Sequence, residues 1–88
     1  MFVEGAIVES VAGRDKGKHF IVLEIVNEKF VIVVDGVLRT IANPKMKNIK
    51  HLKDHNFIAQ GLADKIKENK QIFDKEINKV INEYLQEK

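Results

Sequence analysis

Residues 12–26 have the sequence AGRDKGKHFIVLEIV, a basic loop with two glycines that leads into an apolar run. Glycine adopts backbone conformations that other residues disfavour, so Gly13 and Gly17 predict a tight bend. Residues 20–26 are mostly Val, Ile, Leu and Phe, a composition typical of a β-strand. This stretch therefore predicts a rigid loop that is anchored in a β-sheet.

Further apolar segments surround this stretch and are separated by turn residues. We expect five strands, at residues 6–8, 20–26, 30–34, 37–41 and 48–52. The pair Asp35-Gly36 predicts a tight hairpin between the third and fourth strands. Asn43-Pro44 interrupts strand pairing after it. Short strands joined by tight turns predict a mainly β protein built on a small, SH3-like five-stranded barrel.

From residue 56 the apolar residues follow the spacing of an α-helix. Ile58, Leu62 and Ile66 recur every four positions, and a second set follows near the C-terminus. These patterns predict two short α-helices. We therefore divide the chain into a barrel at residues 1–55 and a helical C-terminal extension at residues 56–88.

The predicted second and third strands indicate where the helices pack. Residues 20–23 and 30–34 are apolar without alternation, whereas a strand with one face in water alternates apolar and polar residues. The outer face of the sheet therefore needs a cover, and we expect the C-terminal extension to pack on it.

The composition of the 88-residue chain excludes several classes of protein. It contains no Cys, which removes disulfides, thiolate metal sites and thiol nucleophiles and is typical of cytoplasmic proteins. No apolar run is long enough for a signal peptide or a membrane span, so we predict a cytoplasmic location and no membrane partner. The oligomeric state is left open.

Positive charge is concentrated in the N-terminal part of the chain, although the net charge is only +2. Residues 36–53 contain Lys and Arg but no acid, whereas residues 56–88 have six Lys and six acids. A rigid cationic loop suits a polyanion, and RNA is the polyanion we expect. We predict phosphate contacts from Arg14, Lys16, Lys18, Arg39, Lys45, Lys47 and Lys50. Gly13 and Gly17 would shape the loop.

The motifs of catalysis and metal binding are incomplete. Gly13 and Gly17 enclose three residues where a phosphate-binding P-loop has four, and His19 replaces its Ser or Thr. His51 and His55 have a spacing that suits zinc on a helix, but no third ligand is evident. We interpret them as surface or RNA-facing histidines. No nucleophile stands in an evident triad, so we predict no enzyme activity, no cofactor and no metal.

The segment from Gly5 through residues 12–18 to Val34 resembles the KOW motif, with Gly17 as its glycine. Together with Asp35-Gly36 and residues 49–52, it is similar to the archaeal and eukaryotic large-subunit ribosomal protein family fourteen-e and to short fourteen-e-like bacterial proteins. The resemblance covers residues 3–53. It implies an SH3-like barrel whose loops bind structured ribosomal RNA. The site residues it implies are Arg14, Lys16, Lys18, Arg39, Lys50 and His51.

Two functions are compatible with this resemblance. The first is non-catalytic RNA binding, either as a permanent protein of the large ribosomal subunit or as a ribosome-associated factor. The alternative is a protein-interaction module, because KOW domains also dock translation and transcription proteins. The amphipathic segment at residues 74–85 would then dimerise or hold a partner.

Overall fold

The computed structural model describes residues 2–87, which form five strands, a short 3-10 helix and two α-helices. In chain order these are β1 (Ala6–Ser10), β2 (His19–Ile25), β3 (Phe30–Val34), β4 (Lys45–Asn48), the 3-10 helix (Ile49–His51), β5 (Leu52–Ile58), α1 (Gln60–Lys67) and α2 (Asp74–Glu87). The strands form one antiparallel sheet in the order β4-β3-β2-β1-β5, which is open between β4 and β5. The protein is mainly β with C-terminal helices. Within the described residues, neither helix is long and apolar enough to cross a membrane.

The first three strands lie close to where the sequence predicts them. In the β2–β3 hairpin, Asn27 Oδ1 accepts hydrogen bonds from the backbone N–H groups of Lys29 and Phe30. This side chain replaces a backbone acceptor within the turn, a role in which Asn is common. Between β1 and β2 the register places Glu9 opposite His19.

The prediction of a strand at residues 37–41 is wrong. Asp35 Oδ1 accepts hydrogen bonds from the backbone N–H groups of Val37 and Arg39, each at 2.9 Å. These donors are therefore unavailable for a β-ladder, and the segment forms a loop. The strand that pairs with β3 is β4, at Lys45–Asn48.

The prediction of a last strand at residues 48–52 is also displaced. Asn48 Oδ1 accepts a hydrogen bond from the backbone N–H of Lys50 and caps the 3-10 helix. Strand β5 begins only at Leu52 and continues to Ile58, so α1 begins at Gln60 rather than near residue 56. The boundary drawn between residues 55 and 56 falls inside this strand.

Alternating side chains of the sheet form two hydrophobic clusters, one on each face. The first contains Ala6, Val8, Phe20, Val22, Val31, Val33 and Leu52. The second contains Ile7, Ile21 and Val34 from the sheet with Ala59, Leu62, Ile77 and Ile81 from the helical part. Strands β2 and β3 lack polar alternation because both of their faces are buried. Each fully buried aliphatic side chain contributes roughly 1.5–3 kcal/mol.

An ion pair connects the two helices. Lys65 of α1 donates to the carboxylate of Glu76 in α2, and the backbone N–H of Phe73 donates to the same carboxylate at 3.0 Å. These hydrogen bonds, chiefly the one from Lys65, hold the pKa of Glu76 below its usual value. The negative charge near the start of α2 also suits the helix dipole.

The start of α2 is attached to the loop that follows β3. Asp74 Oδ1 accepts a hydrogen bond from the backbone N–H of Ile41 at 2.8 Å. Gly36 has a positive φ of 81° and lies directly against the backbone of Asp74, where a Cβ atom would collide with the carbonyl oxygen. Gly36 therefore allows α2 to pack closely against this loop. It does not form the tight hairpin that the pair Asp35-Gly36 predicts.

Candidate nucleic-acid interface

The loop between β1 and β2 consists of consecutive tight turns. Gly13 and Gly17 adopt positive φ angles of 83° and 91°, a conformation that favours glycine. The N–H of Lys16 donates to the carbonyl of Gly13, and that of Lys18 donates to the carbonyl of Asp15. A Cβ atom on Gly17 would meet nothing within 4 Å, so this glycine is required by its backbone conformation alone.

The loop is held by a charged network around Asp15. Ser10 Oγ donates to Asp15 Oδ1 at 2.6 Å, and Lys47 Nζ donates to the same oxygen at 3.0 Å. Lys45 Nζ donates to Asp15 Oδ2 at 3.0 Å, and Lys47 also donates to Ser10 Oγ. The side chains of Asp15 and Lys47 are only 11% and 8% exposed, so little water screens this pair.

The network keeps Asp15 ionised. Burial by itself would raise the pKa of Asp15, because it penalises the charged form. The hydrogen bonds from Ser10, Lys45 and Lys47 outweigh this effect and hold the pKa well below the usual value of 3.8. Asp15 therefore neutralises the lysine side chains beside it.

Lys47, predicted from charge to contact phosphate, is a structural residue. In the β3–β4 register Lys47 lies opposite Val31 and Lys45 lies opposite Val33. Residues directly opposite in a sheet point to the same face, so both lysines point toward the first hydrophobic cluster. The ammonium of Lys47 donates hydrogen bonds to Ser10 and Asp15, and the side chain is only 8% exposed, which leaves little surface for a phosphate. Lys45 is 32% exposed and remains accessible.

Four of the predicted cations line one surface pocket of about 420 Å³. They are Arg14, Lys18, Arg39 and Lys45. Phe20 and Leu38 give the pocket an apolar part, and Asn43 adds an amide. Asp15 and Asp35 also line it, but the former is neutralised by lysines and the latter accepts backbone hydrogen bonds. The pocket can therefore hold an anion.

The remaining predicted residues lie outside the pocket lining. Lys16 is exposed on the first loop, and Lys50 and His51 are exposed on the 3-10 helix. Within residues 2–87, no carboxylate forms an ion pair with Lys16 or Lys50. The same is true of three cations of the pocket, Arg14, Lys18 and Arg39. Their charge is therefore available to a ligand.

His55, interpreted from sequence as a surface histidine, is nearly buried, with its side chain 4% exposed. Its Nε2 lies 2.8 Å from Glu9 Oε1, and its Nδ1 lies 2.8 Å from the hydroxyl of Tyr84. The sequence contained no signal for this group, because Glu9 precedes His55 by 46 residues and Tyr84 follows it by 29. His51 does not share the site.

Comparison with known proteins does not assign a family. No protein-family model matches the chain, and no curated protein matches it. The resemblance of residues 3–53 to KOW proteins therefore stays a prediction from the motif.

Proposed function

We propose that the protein binds structured RNA without catalysis, as a ribosomal or ribosome-associated protein. The observation that carries this proposal is the pocket in which Arg14, Lys18, Arg39 and Lys45 meet. These cations come from two loops and one strand, and the network around Asp15 fixes one of the loops. Prepositioned cations bind phosphates with a smaller entropic cost than mobile ones. Such a role implies a cytoplasmic location, which the absence of Cys supports.

We also propose that the sheet curls into an SH3-like barrel of the KOW type. In a flat sheet of order β4-β3-β2-β1, the outer two strands would lie about 14 Å apart, at about 4.8 Å for each step. Lys47 of β4 nevertheless reaches Ser10 of β1 at 3.0 Å. The contact supports strong curvature around the first cluster, which contains no residue of α1 or α2.

Recognition in this proposal rests on phosphates and shape. Most of the aromatic side chains are partly or fully buried, so they offer no continuous platform for base stacking. If the three pocket cations without an ion pair in residues 2–87, Arg14, Lys18 and Arg39, each neutralise one phosphate, log K falls by about 2–3 for a tenfold rise in salt.

The test compares two triple variants in a fluorescence-anisotropy titration with a structured ribosomal RNA fragment. In the first, Arg14→Gln, Lys18→Gln and Arg39→Gln neutralise the pocket. In the matched control, Lys67→Gln, Lys75→Gln and Lys79→Gln remove the same charge from the helices.

We expect the pocket variant to bind RNA at least tenfold more weakly, with a salt slope reduced by about 2–3. The control variant should retain most of the affinity. Equal losses in the two variants would mean that overall charge, and not the pocket, attracts RNA, and would refute this assignment.

A second candidate function is the docking of a translation or transcription protein. A groove of about 500 Å³ lies between α1 and α2, with Leu62, Val80 and Tyr84 among its lining residues. Phe57, which is exposed, packs beside Tyr84 at its rim with ring centroids 4.9 Å apart. Apolar docking would persist as salt rises, whereas RNA binding would collapse. A salt series of the RNA titration therefore tests the first function, and a complex with a protein partner that persists at high salt would favour the second.

A further inference from the structure

Three adjacent strands bring one carboxylate and two imidazoles together on the sheet face that carries the helices. Glu9 lies on β1, the strand between β2 and β5. It follows Ile7 of the second cluster by two residues and therefore points to the same face of the sheet. His19 of β2 is its register partner. His55 Nε2 lies 2.8 Å and His19 Nε2 lies 3.6 Å from Glu9 Oε1.

We propose that Glu9, His19 and His55 bind a divalent transition-metal ion, for which Zn²⁺ is the best fit. One ligand atom from each residue lies within 4.8 Å of the others. Tetrahedral zinc with bonds of about 2.0–2.1 Å separates neighbouring ligand atoms by about 3.3 Å. The two distances to Glu9 bracket this value, and the two histidine ligand atoms lie within 4.8 Å of each other, so side-chain rotations that move these atoms by up to about 1.5 Å complete the geometry.

The chemistry of the donors selects the class of metal. Two imidazoles with one carboxylate suit zinc and its neighbours in the first transition row, whereas Mg²⁺ and Ca²⁺ prefer oxygen ligands alone. Three protein ligands leave a fourth position for water. The side chain of Glu9 is 26% exposed, which gives the ion a path from solvent.

Tyr84 provides the outer support that a metal-binding histidine needs. Its hydroxyl lies 2.8 Å from His55 Nδ1. When an ion replaces the hydrogen between Nε2 and Glu9, the proton on Nδ1 is donated to the Tyr84 oxygen and the lone pair of Nε2 is left for the ion. The two rings also pack edge to face, with centroids 5.5 Å apart, so the orientation of His55 is fixed from α2.

The proposed metal site shares no ligand with the pocket lined by Arg14, Lys18, Arg39 and Lys45, and it lies in a different part of the molecule. None of its ligands lines that pocket. Phe20 of the pocket belongs to the first hydrophobic cluster, whereas Glu9 shares its face with the second. A bound ion would join β2, β1 and β5 and, through Tyr84, hold α2 on the sheet.

The test uses the full chain after treatment with a chelator. Co²⁺ serves as a visible probe, because tetrahedral nitrogen and oxygen coordination gives intense d–d absorption, and Zn²⁺ then displaces it. We expect one ion per chain. His19→Gln and Glu9→Gln should each weaken Zn²⁺ binding at least tenfold, while the matched control His51→Gln should bind as the wild type does. Tyr84→Phe should weaken binding about 10–100-fold with the absorption band retained.

A second measurement requires no substitution. In long-range ¹H–¹⁵N spectra of the wild-type protein, one equivalent of Zn²⁺ should shift the imidazole signals of His19 and His55 but not those of His51. Circular dichroism identifies any variant that fails to fold. The proposal is overturned if no complex of one ion per chain forms, or if the signals of His51 shift while those of His19 and His55 stay in place.

Discussion

Substitution of Asp15 by Asn should be among the most costly single-atom changes in this protein. The variant keeps the shape of the side chain but removes the charge that faces Lys47, whose side chain is 8% exposed. Breaking a buried ion pair from one side costs about 3–5 kcal/mol. Asn retains one oxygen acceptor for Ser10, and Lys45 is free to turn toward water. We therefore expect the free energy of unfolding to fall by about 3 kcal/mol, at the lower end of this range. For a domain of this size the loss lowers Tm by roughly 12–24 °C.

The pH dependence of this loss has a definite sign. The folded-state pKa of Asp15 lies below the unfolded value of 3.8, so its ionisation stabilises the fold above that value. The contribution disappears as pH falls through the folded pKa, when the folded carboxylate also takes up a proton. The wild type should therefore lose this stability progressively below about pH 5, and the Asn variant should not. The difference between the two proteins shrinks in acid.

The assay is urea unfolding followed by far-ultraviolet circular dichroism at several values between pH 7 and pH 3. Asp64→Asn is the matched control, because this carboxylate is exposed on α1 and, among residues 2–87, accepts a side-chain hydrogen bond only from Gln60. We expect the control to change stability by less than about 0.5 kcal/mol. In a Lys47→Met background, Asp15→Asn should cost much less than alone. A loss below about 1 kcal/mol, or one that does not change with pH, would refute the argument.

Two further predictions concern the contacts of α2 with the sheet. Gly36→Ala should lower the free energy of unfolding by more than about 2 kcal/mol, because a Cβ atom collides with the backbone of Asp74 and φ is positive. In contrast, Gly61→Ala adds its methyl group in open space on a helix and should stabilise the protein by about 0.5–1 kcal/mol. Ile77→Ala should cost about 2–5 kcal/mol, since Ile77 is 1% exposed in the second cluster. Leu85→Ala, on the exposed side, should cost less than about 1 kcal/mol. Thermal unfolding measures all four variants, and a small loss for Ile77→Ala would show that α2 is not anchored there.

The sequence predicts the first three strands because their signals are local. Runs of Val, Ile and Phe bounded by turn residues indicate strands wherever they pack. The last two strands depend on side-chain hydrogen bonds that a pattern of apolar residues does not contain. Asp35 removes two backbone donors from residues 37–41, and Asn48 caps a 3-10 helix where a strand was expected. Strand β4 at Lys45–Asn48 has only one apolar side chain, so its sequence does not resemble a strand.

The candidate site was only partly predictable for a similar reason. The positive loop and the turn-forming residues at Gly13 and Gly17 are visible in the sequence. A count of charges, however, treats every lysine as exposed. Whether Lys47 faces water depends on its register with Val31 and on a carboxylate more than thirty residues earlier, at Asp15. Neither relation leaves a local signal.

Strand β1 connects the two polar networks, because adjacent residues of a strand point to opposite faces of the sheet. Ser10 belongs to the network with Asp15 and Lys47, and Glu9 belongs to the group with His55. A slip of β1 by one residue would exchange their faces, leaving Glu9 beside the first hydrophobic cluster without its histidine partners. Burial of an unpaired carboxylate is far more costly than the loss of apolar contacts alone. The polar side chains of Glu9 and Ser10 at the end of β1 therefore fix the register that the apolar residues before them leave less strictly determined. The same register sets the geometry of both proposed sites.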